Sequence, residues 1–211
     1  MTRPYKSRKF PKPSPLAAIS RPKHGTLIAC IASLSGTLER ELGGILGDVL
    51  EIHSKQALAM YLALSGTQAR KSALLAAAKL RIGGEDYAEL VKLYKTIHSK
   101  ALERNNVIHG AWALSDDEPD SLLLGDSAEY VQFEASILDL ASHHWSDDPQ
   151  MQAKQLQKFS NKLIAIDMPS YTVYEISDLK RIAYGLGDLV KLVHAFREKL
   201  QNKYRWRSPA P

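Results

Sequence analysis

Asp86 to Trp112 read DYAELVKLYKTIHSKALERNNVIHGAW, and this stretch decides the fold. Leu90, Leu93, Ile97, Ala101 and Ile108 recur at the spacing of one helix face. Asp86, with Glu89 three residues on, has the form of a capping box and places the helix start there. Gly110 marks the helix end. Arg104 falls on the apolar stripe, between Ile97 and Ile108. A guanidinium in such a stripe is costly unless something pairs with it. Beside the stripe run His98, Asn105 and His109, the last two one turn apart and able to touch.

The same periodicity extends to both sides. Leu27, Ile31, Leu34, Leu38, Leu42, Ile45, Val49 and Ile52 predict a long amphipathic helix from Thr26. Gly36, Gly43, Gly44 and Gly47 weaken it by about 1 kcal/mol each relative to Ala, and imply close approach of another helix, or a kink. Ser54 caps a helix over 55–64, Ser65-Gly66 stops it, and Thr67 caps a third over 68–81. Towards the other end, Leu179, Ile182, Leu186, Leu189, Val193, Phe196 and Leu200 alternate steps of three and four, with Ser177 as N-cap. That pattern marks a long helix packed along another, within the fold or in a dimer. Helices joined by short turns imply an antiparallel bundle.

Between Trp112 and Ile176 the pattern changes. Ser115 to Asp120 form an acidic turn, read as a solvated loop because contiguous acids with a proline make a poor oxygen cage. Leu122–Leu124 and Tyr130–Phe133 predict a hairpin across Gly125-Asp126, and Tyr171–Tyr174 a strand that pairs with them. Residues 150–164 predict a more polar helix, broken by Pro169. The fold class is therefore mainly α, a multi-helix bundle of five or six helices with a small β insertion between Trp112 and Ile176.

The 211 residues carry a net charge of +5, with the excess at the ends. Arg3, Lys6, Arg8, Lys9, Lys12, Arg21 and Lys23 precede the first acid, Glu39, and Lys199, Lys203, Arg205 and Arg207 close the chain. With Pro4, Pro11, Pro13, Pro15 and Pro22 among them, residues 1–24 read as a basic flexible arm, 25–204 as one helical domain, and 205–211 as a short basic tail. Basic ends hold phosphate backbones without reading sequence, or only solubilise. Tyr5, Phe10 and the Tyr204-Arg-Trp-Arg207 tail offer stacking groups, or cap the bundle. Cys30, the single cysteine, excludes an internal disulfide and a cysteine-based zinc cluster. Adjacent His143 and His144 point apart on a helix and make a poor metal site. No metal and no cofactor are expected. No apolar run spans a bilayer, which with Cys30 suits a cytoplasmic protein. Nucleotide-binding, serine-hydrolase and zinc-protease motifs do not occur.

Arg104-Asn105-Asn106-Val107-Ile108-His109 fit the pattern R-N-x-x-x-H, late on a helix in an all-α chain. In this the chain resembles the HEPN superfamily of RNA-cutting domains. The likeness covers this helix in residues and its helical surroundings in kind. It implies a metal-independent endoribonuclease of toxin–antitoxin, anti-phage or stress systems, in which the arginine and histidine of two protomers face each other across a dimer cleft. His109 is then the acid/base group, Arg104 the phosphate clamp, and Asn105 the group that orients His109. RNA, a second copy of the chain and an antitoxin or other partner protein are the implied partners. Two other readings stand beside it. One is a non-catalytic HEPN-like module that binds nucleic acid or a protein. The other is a structural adaptor in which Arg104 pairs with Glu39, Glu41, Asp48 or Glu51 and His109 only complements the helix dipole.

Overall fold

The computed structural model describes residues 5–7, 12–13, 16–142, 147–164 and 171–204. The expectations on His143, His144, Trp145, Phe10, Pro169 and residues 205–207, and on the side chain of Tyr5, lie outside them. Among the described residues are eight helices and five short strands, so the protein is mainly α. Where the sequence reads as one domain over 25–204, the contacts group the chain into two compact units. One comprises residues 1–25 and 109–178, the other 26–108 and 179–211.

The first unit is built on an antiparallel sheet. Its strands are β1 (Tyr5–Ser7), β2 (Lys12–Pro13), β3 (Ala111–Leu114), β4 (Leu122–Gly125) and β5 (Tyr171–Tyr174), in the order β1-β5-β4-β3-β2. Tyr171–Tyr174 does pair with Leu122–Gly125, as expected. The acidic turn joins β3 to β4 and leaves Asp116, Asp117 and Asp120 exposed. Gly125 sits opposite Tyr171, whose ring would lie 2.8 Å from any Cβ added there. Ala113, Leu123, Tyr171 and Val173 form a small apolar core, and Trp112 meets Tyr174 edge-on with ring centroids 5.6 Å apart.

Two expectations fail in this unit. Tyr130–Phe133 is not a strand but part of α6 (Ser127–Ala141). The carboxylate of Asp126 accepts from the Ala128 and Glu129 N–H groups at 2.7 and 3.2 Å, and this N-cap overrides the β-propensity of Tyr130, Val131 and Phe133. The second correction concerns residues 1–24, which do not lack regular structure. They supply β1, β2, α1 (Ala17–Ser20) and the start of α2 (Pro22–Leu50). The prolines are compatible with this because β2, which holds Pro13, is an edge strand and Pro22 opens a helix. The unit's remaining helix, α7 (Pro149–Ile164), matches its expected span to within a residue.

His24, in the first turn of α2, is only 3% exposed. Its ring bonds to the Tyr174 backbone, and among the described residues its Nε2 has no partner. Burial lowers its pKa below the ordinary 6.5, with Arg21 adding to the effect and the Tyr174 bond and Asp120 opposing it. The folded chain thus holds His24 neutral where the unfolded chain binds a proton. Stability from this group is full above 6.5 and is lost as pH falls from there towards the lowered folded value. Melting curves at about pH 7.5 and about 5.5 should show this fall, and His24→Gln should flatten it. An unchanged pH slope in the variant contradicts the assignment.

The second unit is helical: α2 from Thr26, α3 (Ser54–Ala63), α4 (Gly66–Arg81), α5 (Gly84–His109) and α8 (Ile176–Tyr204) from Leu179. Ile45, Val49, Tyr61, Leu74, Leu90, Tyr94, Val193 and Leu200 anchor its core. The glycines of α2 admit close neighbours. A Cβ on Gly47 would meet the Ala57 methyl at 2.9 Å, and one on Gly44 would run into the Arg197 guanidinium. The caps differ from expectation by a residue or two. His53 Nδ1 accepts from the Lys55 N–H at 3.2 Å at the head of α3, Ser65 precedes α4, and α8 begins before Ser177, with Asp178 reaching back to the Glu175 N–H at 3.1 Å.

Candidate active site on the central helix

α5 is unbroken from Gly84 to His109, and Trp112 lies beyond it in β3. Its buried positions are Asp86, Leu90, Tyr94, Ile97 and Val107. Relative to the expected stripe, Tyr94 takes the inside and Leu93, Ala101, Arg104 and Ile108 are half-buried. Asp86 is not an N-cap. It lies within the first turn, 1% exposed, bound by Lys199 at 2.9 Å, Lys203 at 2.7 Å and the Tyr204 hydroxyl at 2.7 Å.

The Arg104 side chain has no hydrogen bond or ion pair among the described residues. The four acids that would have made it structural are engaged elsewhere. Glu39 binds Arg70 at 3.2 Å. Asp48 binds Arg197 at 2.6 Å, and Glu41 contacts the same guanidinium at 3.5 Å. Glu51 pairs with Arg81. Asn105 and His109 are exposed, one turn apart, with a rise of about 6 Å between them. Arg104 precedes His109 by five positions, about 140° round the helix axis. The unit boundary passes between Ile108 and His109. His98 is exposed on the same helix.

In chemical terms, the helix offers a fork of phosphate donors in Arg104, an imidazole able to accept or donate a proton in His109, and an amide within one turn of it. Sequence reasoning passed over the lysines of α5. Lys92 and Lys95 are exposed and Lys100 is half-buried. Their significance depends on which acids of α5 are neutralised by α8, a long-range fact with no local signature. Among the described residues no group of three His, Cys, Asp or Glu is placed to hold a metal ion, and no helix is long and apolar enough to cross a membrane. Comparison with known proteins gives no match to a family model, to a curated protein or to a solved structure.

Proposed function

We propose that the chain is a HEPN-like, metal-independent endoribonuclease that acts as a homodimer. The observation that carries this reading is Arg104: a half-buried guanidinium in the R-N-x-x-x-H segment whose candidate structural partners are all held by other cations. In the reaction, a ribose 2′-hydroxyl gives up its proton to His109, and its oxygen attacks the adjacent phosphorus. The P–O5′ bond breaks, leaving a 2′,3′-cyclic phosphate. The departing 5′-oxygen takes a proton from the second protomer's His109. Arg104 binds the non-bridging oxygens as negative charge grows on them. One copy of the motif holds one histidine, so a two-fold axis completes the acid–base pair. The setting implied by the resemblance is RNA cleavage in toxin–antitoxin, anti-phage or stress responses, in the cytoplasm.

Leu102, 69% exposed between Ser99 and Asn106 on α5, is the apolar anchor for such a dimer. Leu102→Glu should convert a dimer to a monomer in sedimentation at micromolar concentration and remove cleavage with it. Being exposed, the substitution should change stability by no more than about 0.5 kcal/mol. A variant that remains a dimer refutes this anchor, and a strict monomer that cuts RNA refutes the composite site.

A further inference from the structure

We propose that the exposed side of α5 before Leu102 is a phosphate track, in which Lys92 and Lys95 hold single-stranded RNA. The RNA-cleavage reading supplies the identity of the polyanion; the charge arrangement supplies the track. Beyond Asp86, α5 has two acids, Glu89 and Glu103. Glu89 is held by Lys199 at 2.6 Å, and Glu103 by Arg181 at 3.0 and 3.2 Å. Both negative charges are thus neutralised by α8. The cations of α5 are not. The side chains of Lys92, Lys95, Lys100 and Arg104 have no hydrogen bond or ion pair among the described residues. Lys100 runs past Gly185 of α8, close enough that a Cβ there would lie 3.9 Å from its Nζ. A helix with these acids paired away and Lys92 and Lys95 left in water carries a net positive edge.

The arrangement is linear. Lys92, Lys95, Ser99, Leu102 and Asn106 follow one another at alternating steps of three and four, so they share one side of the helix. From Lys92 to Ser99 the rise is about 10 Å, and Arg104 lies about 180° round the axis from Lys95. Separated point charges along a line suit a chain polyanion, and lysine ammonium groups read charge without reading sequence. Glu85, exposed one turn before Ala88, and Asp86 set the limit at the start of the helix. Leu102, two turns beyond Lys95 on this same side, ends the track, so the dimer contact begins where the lysines stop.

The test is binding of a fluorescein-labelled, single-stranded 2′-O-methyl RNA, which the proposed chemistry cannot cut, to the full chain across a salt series. Lys92→Glu/Lys95→Glu should weaken binding at least about ten-fold and reduce the slope of log affinity against log salt by about 1.4, two phosphate contacts on a single strand. Lys154→Glu/Lys158→Glu on α7, with the same change in net charge, should leave the slope unchanged. Lys92→Arg/Lys95→Arg should bind as the parent does. In cleavage assays the track variant should raise KM and leave kcat in place. Equal losses in both glutamate variants, no loss in the track variant, or no binding by the parent would overturn the track. RNA that is cut normally by the track variant sinks the track and spares the nuclease. Track-dependent binding without cutting of any RNA supports the track and sinks the nuclease.

Discussion

Arg104→Ala and His109→Ala should each lower RNA cleavage by about 10²–10⁴-fold while leaving the fold intact. Both halves of that statement follow from geometry. His109 is exposed at the last position of α5, where its removal opens no core cavity. Arg104 is half-buried but binds no acid among the described residues, so its loss orphans no carboxylate. Had it been paired with Glu41 or Asp48, truncation would have cost about 3–5 kcal/mol. Instead the melting temperature should move by no more than about 2–4 °C, the equivalent of about 1 kcal/mol. Arg104→Lys should not restore activity, because a single ammonium cannot offer two parallel donors to one phosphate. A collapse in melting temperature with either alanine variant would return these residues to a structural role.

Asp86→Ala should give the largest stability loss of any single charge change in the helical unit. Its carboxylate gathers Lys199, Lys203 and the Tyr204 hydroxyl, which in turn accepts from the Gly83 N–H at 2.6 Å. This cluster ties the end of α8 to the start of α5. Hydrogen bonds to a charged group contribute about 1.5–3 kcal/mol, and a loss of about 2–3 kcal/mol is expected, less than for a pair sealed from water because both lysines can rehydrate. For a chain of this size that is a fall of about 4–12 °C. The bonds from Lys199 and Lys203 hold the Asp86 carboxyl well below its ordinary 3.8. Its contribution is therefore full above 3.8 and is lost as pH drops below it towards the depressed folded value. Thermal melts of the parent and of Asp86→Ala should differ at neutral pH and converge in acid. A difference that persists undiminished in acid would contradict the electrostatic account.

Long helices were legible because their apolar residues repeat. Leu179 to Leu200 kept their register, Leu90 and Ile97 stayed inside with Tyr94 in place of Leu93, and α7 kept its span. The short strands Leu122–Gly125 and Tyr171–Tyr174 were legible as buried apolar or aromatic runs. Tyr130–Phe133 misled because local strand propensity was read without the Asp126 cap. Asp86 misled in the opposite direction: a residue of cap type in a cap-like pattern is instead the hub of contacts from more than a hundred positions away. The strands at Tyr5 and Lys12 were hidden by prolines that an edge position tolerates. Arg104, Asn105 and His109 were found by motif. That Arg104 lacks an acid partner was not legible, since it depends on Arg70, Arg81 and Arg197 occupying the acids of α2 and the residue that follows it.

The most direct measurement is incubation of the purified chain with end-labelled single-stranded RNA in EDTA, alongside the same sequence as DNA and as 2′-O-methyl RNA. The account requires cutting of the RNA alone, with 2′,3′-cyclic phosphate and 5′-hydroxyl ends, because the nucleophile is the substrate's own 2′-oxygen. Cutting of the DNA or the methylated strand, or activity that appears only with added magnesium, would contradict it.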